Sequence, residues 1–128
     1  MSQCSLGASA TEKAEAGRIS RAIDVLRDAP NAQKAELLGA LKSAHCEAAD
    51  LCDLQRLCVE GYAQHVQALS ETARAKALLT TAGAGAGAQA ESEAAAALDS
   101  ARRGLSLAAS KIGRCADAQG AAHRKYKF

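Results

Sequence analysis

Five cysteines and three histidines are the residues of this 128-residue chain whose types could support metal or redox chemistry. Three of the cysteines, Cys46, Cys52 and Cys58, are spaced six residues apart, and His45 and His65 lie near them. On one straight helix a step of six residues turns the chain by about 600°, so the three thiols point in different directions. They therefore cannot meet at one ion, and the paired spacings typical of tetrahedral zinc sites do not occur.

We accordingly expect the cysteines to be free thiols that serve as small apolar side chains, with disulfides or a metal site as the alternatives. His45 falls within an apolar stripe of the sequence, which favours a position at the edge of a core or interface. His65 lies off that stripe, and a solvated position is expected for it.

The sequence lacks the motifs of the common catalytic sites. It contains no Glu-x-x-His pair for a di-iron bundle, no Gly-x-Ser-x-Gly turn and no Gly-x-x-x-x-Gly-Lys phosphate loop. The Gly-Ala run at residues 82–88 has neither the lysine nor the preceding strand that such a loop needs. We therefore predict that the chain is not an enzyme and that it binds no cofactor.

The elements that position these residues are predicted to be helices. Alanine and leucine dominate the 48% of apolar residues, aromatic residues are nearly absent, and there is one proline. This composition is typical of long helices or coiled coils, and the scarcity of β-branched residues argues against sheet. Because large side chains are rare, the interior must be thin and the helix backbones must approach closely.

The first helix has clear ends. Ser9 and Glu12 have the spacing of a capping box, and the apolar residues that follow recur every three to four positions, which predicts a helix over residues 10–28. Pro30 ends this helix because a proline pushes the preceding residue out of the α region. Asn31 is expected to cap the helix that follows.

A long middle helix is predicted over residues 32–80, where the apolar spacing of three and four continues without a proline. A helix of ~49 residues is ~73 Å long at 1.5 Å per residue. Gly61 is a weak point, because a glycine inside a helix costs about 1 kcal/mol relative to alanine. A break at Gly61 is the alternative to one continuous helix.

The run Ala-Gly-Ala-Gly-Ala-Gly-Ala at residues 82–88 predicts a flexible linker that lets the chain return antiparallel. The last helix, predicted over residues 89–119, carries a heptad seam in which small and large side chains alternate. Its helicity is expected to fade near Gly120. The seam consists of Ala94, Leu98, Ala101, Leu105, Ala108, Ile112 and Cys115.

These elements together predict an all-α protein, an antiparallel helical bundle or coiled-coil hairpin of three helices with a long middle one. Residues 1–8 are expected to be disordered and residues 9–122 to form a single helical domain. Residues 123–128 are expected to form a basic tail.

The middle helix has more apolar surface than its two shorter neighbours can cover, which indicates an interface. We predict a non-enzymatic interaction or structural protein, a subunit or adaptor. It would pack amphipathic helices against another helical chain, as a homo-oligomer or in a hetero-complex. The predicted partner contacts are Leu37, Leu41, Leu51, Leu54, Cys58 and Tyr62.

The alternative is a weak binder of nucleic acid or of an acidic partner through the last helix and the tail, with Arg124, Lys125 and Lys127 as contacts. The net charge of +2 provides no strong field for such a partner. The sequence has no run of 18 apolar residues for a membrane span and no signal peptide. An intracellular, cytoplasmic location is therefore expected.

Overall fold

The computed structural model describes residues 7–82 and 87–128, which form four α-helices. The all-α class is confirmed, but the helices number four and not three. Most of the predicted disordered N-terminus and of the Gly-Ala linker, residues 1–6 and 83–86, lies outside the described residues. The helices are α1 (Ala10–Asp28), α2 (Asn31–Ser43), α3 (Ala49–Ala82) and α4 (Ala88–Tyr126).

Helix α1 begins with the capping box predicted from the sequence. Ser9 Oγ accepts the N–H of Glu12 at 3.1 Å, and the Glu12 carboxylate accepts the N–H of Ser9 at 3.0 Å. The helix ends before Pro30 as expected, because Ala29 is extended at φ −73° and ψ 152°. Pro30, and not Asn31, takes the N-cap position of α2.

The single middle helix predicted over residues 32–80 is two helices, because the chain leaves the helical conformation after Ser43 and resumes it at the start of α3. Ala44 is extended at φ −64° and ψ 132°. Two side chains from other helical turns bind the exposed helix ends: Gln55 at the end of α2 and Glu15 just before α3. The apolar spacing continues across the break because both helices contribute to one core.

Gly61 does not break α3; it marks a close approach to α4. A Cβ atom at Gly61 would lie 3.1 Å from the backbone nitrogen of Ile112 and 3.2 Å from the carbonyl carbon of Lys111. A Cβ atom at Gly104 would lie 3.3 Å from Cβ of Ala68. Because glycine has no Cβ, α3 and α4 can pack antiparallel with the thin interior that the composition predicts.

At one end of the α3–α4 hairpin, α1 and α2 complete a core of large side chains. We call this part the four-helix end; it comprises α1, α2, residues 44–66 and residues 108–126. Its helices bury their apolar sides against one another, as helices of a bundle do. The core contains Ile19, Ile23, Leu26, Leu41, Leu51, Leu54, Tyr62 and Tyr126.

The rest of the hairpin, residues 67–82 and 88–107, is a pair of helices that we call the arm. Its α3 portion is about 24 Å long at 1.5 Å per residue. The buried residues of the arm are small, so its two helices bury little apolar area between them. They are Ala68, Ala75, Ala94, Ala97, Ala101 and Gly104.

Only the small residues of the predicted α4 seam are buried. The alanines of the seam and Cys115 are at most 2% exposed, whereas Leu98 and Leu105 are 41% and 39% exposed. Ala97 and Gly104 are buried in their place. The close approach of the two backbones leaves no room for leucine between them, so the leucines lie at the flank of the contact.

Helix α4 continues to Tyr126 and does not fade near Gly120 as expected. Tyr126 is 2% exposed, and its hydroxyl donates to Asp50 Oδ1 at 2.7 Å. Lys127 ends the helix in the left-handed conformation at φ 55°. The last turn of α4 is therefore held against the beginning of α3, and much of the predicted tail belongs to the helix.

Candidate interaction surface

The six predicted partner contacts lie together in the core of the four-helix end. Five of them, Leu41, Leu51, Leu54, Cys58 and Tyr62, are between 0% and 4% exposed. The sixth, Leu37, is half-buried against the same core. Their apolar surface is covered by the chain's own helices in this structure, so an interface through them stays a prediction. The exposed large apolar side chains of the described residues lie elsewhere.

Glu15 is a buried carboxylate that the sequence analysis did not single out. It is 4% exposed, and it accepts the backbone N–H groups of Glu47 and Ala48, the latter at 3.3 Å. These amides lie just before α3, where the first N–H groups of a helix have no partner within the helix. Glu15 therefore joins α1 to the start of α3, which is a structural role.

Lys34 and Gln55 bind the C-terminal ends of the two short helices, α1 and α2. Lys34 is 7% exposed and donates to the end of α1, and Gln55 is 9% exposed and donates to the end of α2. Each satisfies carbonyl groups that lack a partner within their helix. The acceptors are the carbonyl oxygens of Leu26 and Arg27, at 2.8 and 2.9 Å, and of Leu41 and Ala44, at 2.8 and 2.6 Å.

Asp50 connects the first turn of α3 to the last turn of α4. Its carboxylate accepts the Tyr126 hydroxyl at 2.7 and 2.9 Å, and Lys125 Nζ lies 2.7 Å away. Burial by itself raises the pKa of Asp50, but the hydrogen bonds from Lys125 and Tyr126 outweigh burial and hold that pKa below its usual value. Burial and the Asp50 carboxylate raise the pKa of Tyr126. The predicted tail cation Lys125 is thus engaged within the chain.

The expectation of free thiols is wrong for four of the five cysteines, which form two disulfides. Cys46 bonds to Cys52, with Cα atoms 5.4 Å apart, and Cys58 bonds to Cys115, with Cα atoms 4.8 Å apart. Cys46 and Cys52 can meet because Cys46 lies in the connection between α2 and α3, so the two residues are not on one straight helix. The Cys58–Cys115 disulfide is buried, with both residues at most 1% exposed, and it joins α3 to α4.

His45 is exposed and His65 is half-buried, which is the reverse of the expected positions. His45 is exposed in the connection between α2 and α3, where its Nε2 lies 2.8 Å from Glu47 Oε2. His65 is half-buried, and its Nε2 is a buried atom without a hydrogen-bond partner among the described residues. Burial lowers the pKa of His65, and the Lys34 charge lowers it further. The apolar stripe predicted the wrong position for His45 because the stripe continues across the break between α2 and α3.

A polar groove of about 580 Å³ runs between α1 and α4. Gln119 donates to Ser20 Oγ at 2.7 Å and to Asp24 Oδ1 at 2.8 Å, and Arg27 lies 3.0 Å from Asp24. Gln119 therefore joins α4 to α1 across this groove.

Large apolar side chains are exposed mainly on the arm. Among the described residues, five are between 39% and 54% exposed, and four of these belong to the arm: Leu79, Leu98, Leu105 and Leu107. The fifth is Val25 on α1. Isolated exposed leucines are common on proteins, whereas the arm carries several of them on one narrow element.

Two of these leucines lie on the side of the hairpin that α1 covers at the four-helix end. Residues seven apart share a side of a helix, so Leu98 and Leu105 are in line with Ile112 and Gln119 of α4. Ile112 packs against the large core, and Gln119 donates to Ser20 of α1. The line of side chains is covered in the four-helix end and uncovered along the arm.

Helix α3 has a corresponding line on the same side. Gln55 binds the end of α2, and the Tyr62 ring lies 5.9 Å from Lys34 Nζ of α2. Seven residues further, Leu69 is half-buried on the arm. We call this uncovered side of the arm, formed by Leu69, Leu98 and Leu105, the arm surface.

Residues 7–82 and 87–128 contain no group of three or more His, Cys, Asp and Glu side chains that could hold a metal ion. None of the helices in these two stretches is long and apolar enough to cross a membrane. Comparison with protein families, curated proteins and solved structures gives no match.

Proposed function

We propose that this chain is a non-enzymatic interaction protein that packs the arm surface against helices of another chain. The supporting observation is that the arm exposes four leucines, of which Leu98 and Leu105 belong to the arm surface, while it buries only small residues. Burial of apolar surface contributes about 25 cal/mol per Å², so a partner that covers these leucines supplies apolar contacts that the arm lacks.

The shape of the arm favours a helical partner. Leu69 lies on one of its two antiparallel helices and Leu98 and Leu105 lie on the other, and two adjacent helices leave a shallow groove between them. An amphipathic helix fits such a groove because its apolar side chains recur at three- and four-residue intervals. The four-helix end then acts as the support that holds the two helices of the arm together at their base.

Weak binding of nucleic acid or of an acidic partner through the last helix and the basic tail is the alternative, and the contacts of the tail do not favour it. Lys125 is paired with Asp50, while Arg124 and Lys127 remain exposed. Two exposed cations give weak binding that falls steeply with salt. A binding titration with single-stranded nucleic acid at increasing ionic strength would support this alternative only if affinity is appreciable and is lost in Arg124→Gln/Lys127→Gln, which leaves Tyr126 in the core.

The two disulfides bear on the compartment. Disulfides persist in oxidising compartments and are rare in the reducing cytosol. We therefore infer an oxidising environment for this protein in place of the cytoplasmic location expected from the sequence. Alkylation of the protein in its native source before lysis tests this inference: four protected cysteines support it, and complete alkylation contradicts it.

The interaction proposal is tested by affinity capture from the native source with the full chain as bait. The test variant is Leu98→Glu/Leu105→Glu, which places charge on the arm surface. The matched control is Val25→Glu, which places charge on the exposed apolar residue of the four-helix end. A partner retained by the wild-type chain and by the control, but lost from the test variant, supports the proposal. Identical captured proteins with all three baits contradict it.

A further inference from the structure

We propose that the Cys46–Cys52 disulfide is a redox-sensitive lock on the α2–α3 connection, residues 44–48. Small thiols reduce this disulfide in the folded protein while Cys58–Cys115 stays closed, and the connection then opens more often. The two disulfides differ in exposure, in the contacts around them and in the length of the loop that they close. The lock lies in the four-helix end, and its opening does not require a partner on the arm surface.

The two disulfides have different access to solvent. Cys46 and Cys52 are half-buried, whereas Cys58 and Cys115 are at most 1% exposed. Thiol–disulfide exchange requires a thiolate to approach a sulfur atom, so its rate depends on this access. Cys46–Cys52 therefore reacts in the folded protein, whereas Cys58–Cys115 reacts only after α3 and α4 separate.

The reduction of Cys46–Cys52 consumes two thiols. The first, as a thiolate, attacks one sulfur atom and forms a mixed disulfide, and the electron pair of the broken S–S bond leaves with the other sulfur, which takes up a proton. The second thiolate attacks the external sulfur of the mixed disulfide and displaces the remaining cysteine, which is protonated in turn. Two external thiols are thereby oxidised to one disulfide, and the two cysteines become thiols.

Two side chains fix the ends of the α2–α3 connection independently of the disulfide. Gln55 Nε2 donates to the carbonyl oxygen of Ala44 at 2.6 Å. At the other end, the Glu15 carboxylate accepts the N–H groups of Glu47 and Ala48, the latter at 3.3 Å. These contacts remain after reduction, so reduction loosens the connection and does not unfold the four-helix end.

The disulfide fixes the middle of the connection. Cys46 lies between the two ends, and its bond to Cys52 joins it to the first turn of α3. The side chains of His45 and Glu47 are exposed, so they contribute little apolar burial to hold this part in place. Loss of the covalent bond therefore has its main effect on the middle of the connection.

The lengths of the two loops favour a reduced protein that stays folded. Cys46 and Cys52 are six residues apart in sequence, whereas Cys58 and Cys115 are 57 residues apart. A disulfide that closes a longer loop restricts the unfolded chain more strongly. Reduction of Cys46–Cys52 thus removes the smaller covalent contribution to stability, and the larger one is retained.

Opening of the connection uncovers a buried carboxylate. Glu15 is 4% exposed while it accepts the N–H groups of Glu47 and Ala48. When the connection moves away, the carboxylate gains access to solvent, and the two amides exchange their hydrogens with water. The redox state of the disulfide therefore determines how often Glu15 and these amides are exposed.

The first test is reduction of the full folded chain by glutathione, in a Cys4→Ser background that removes the fifth cysteine. Alkylation at successive times and tryptic digestion distinguish the two disulfides, because Cys46 and Cys52 fall in one peptide, residues 43–56. We expect this disulfide to be reduced about a hundredfold faster than the buried one, or more. Equal rates, or faster reduction of the buried disulfide, overturn the proposal.

The second test is hydrogen exchange at the amides of Glu47 and Ala48, before and after this selective reduction. We expect their exchange to become about tenfold faster or more, while amides of α3 near Cys58 keep their protection. Cys46→Ala/Cys52→Ala removes the lock without a reductant and should give the same increase. Unchanged exchange at the two amides in the reduced wild-type chain overturns the proposal, whether or not the variant folds.

The third test weakens the contact at the end of the connection. Glu15→Gln replaces a charged acceptor by a neutral one, so the connection opens more often and glutathione should reduce Cys46–Cys52 about tenfold faster. The matched control is Glu36→Gln, which makes the same change at an exposed residue of α2 and should leave the rate unchanged. Circular dichroism and melting curves establish that each variant is folded. Equal rates in the two variants overturn the coupling of the lock to Glu15.

Discussion

The four-helix end and the arm contain the same two long helices but bury different side chains. At the four-helix end, α3 and α4 contribute residues such as Leu51, Leu54 and Tyr126 to a core that α1 and α2 cover. In the arm, the same helices meet through alanine and glycine. A fully buried leucine contributes about 1.5–3 kcal/mol, and an alanine contributes much less. The arm is therefore held by close fit and by its attachment to the four-helix end.

Covalent links add to this difference. Both disulfides, Cys46–Cys52 and Cys58–Cys115, lie in the four-helix end. The cap contacts of Glu15, Lys34 and Gln55 lie there as well. A region with little apolar burial and few cross-links opens at lower free energy than the rest of a protein. The part of the molecule with the most exposed leucines is thus also the part that a partner would stabilise most.

The largest expected effect comes from the disulfide that joins the two long helices. Cys58 and Cys115 are 57 residues apart in sequence, whereas Cys46 and Cys52 are six residues apart. Because the closed loop limits the unfolded chain, Cys58→Ala/Cys115→Ala is expected to lower the free energy of unfolding by about 4 kcal/mol, and Cys46→Ala/Cys52→Ala by about 2 kcal/mol. Urea unfolding followed by circular dichroism measures both losses.

The two double variants control for each other, since each removes one pair of thiols and adds the same two alanines. Equal losses in the free energy of unfolding would show that loop length does not determine how much each disulfide stabilises the protein. A larger loss in the free energy of unfolding for Cys46→Ala/Cys52→Ala would show that the disulfide in the α2–α3 connection stabilises the four-helix end more than the disulfide between the long helices.

A smaller effect is expected at the glycine where α3 and α4 approach most closely. Gly61→Ala places a Cβ atom 3.1 Å from the backbone of Ile112, and backbone atoms cannot move aside as a flexible side chain can. We expect a loss of about 1–3 kcal/mol in the free energy of unfolding, because the helices must separate slightly. Thermal and urea unfolding of the variant provide the measurement.

Gly113→Ala is the matched control, since Gly113 lies in α4 and a Cβ atom there meets nothing within 4 Å. Alanine is the better helix former, so this substitution should raise the free energy of unfolding by about 0.5–1 kcal/mol. If Gly61→Ala is also stabilising, the close approach does not limit the packing of the two helices, and the thin interior of the hairpin needs another explanation.

Local sequence was sufficient for the parts of the fold that local contacts determine. The capping box at Ser9 and the end of α1 before Pro30 depend on residues within a few positions of each other, and both were predictable. The break before α3 was not predictable in this way. It depends on Glu15 and Gln55, which bind helix ends far from them in sequence. Apolar spacing does not reveal such contacts.

The pairing of Cys58 with Cys115 could have been predicted from the sequence. If the chain is folded back at the Gly-Ala run, residue 58 falls opposite about residue 112, one turn of helix from Cys115. Two cysteines on the facing sides of an antiparallel hairpin are candidates for a disulfide. The sequence does not show whether the alanines or the leucines of the α4 seam are buried. That depends on how closely the glycines allow the two helices to approach.

The smallest expected effect concerns pH at the junction of the two regions. His65 lies where the four-helix end meets the arm, and its Nε2 is buried without a hydrogen-bond partner among the described residues. Burial and Lys34 lower its pKa below the value of 6.5 that the unfolded chain retains. Protonation therefore favours the unfolded chain. The contribution of His65 to stability is fully present above pH 6.5 and is lost as the pH falls through 6.5 towards the lower pKa of the folded state.

His65→Leu tests this assignment, because leucine keeps most of the buried volume and cannot be protonated. We expect the free energy of unfolding of the wild-type chain to decrease between about pH 7.5 and pH 5.5, and the variant to lose part of that decrease. His45→Gln is the control, since it removes a histidine that is exposed in the α2–α3 connection. If the control flattens the profile and His65→Leu does not, the pH-sensitive contact lies in the α2–α3 connection, and the junction between the four-helix end and the arm is insensitive to pH in this range.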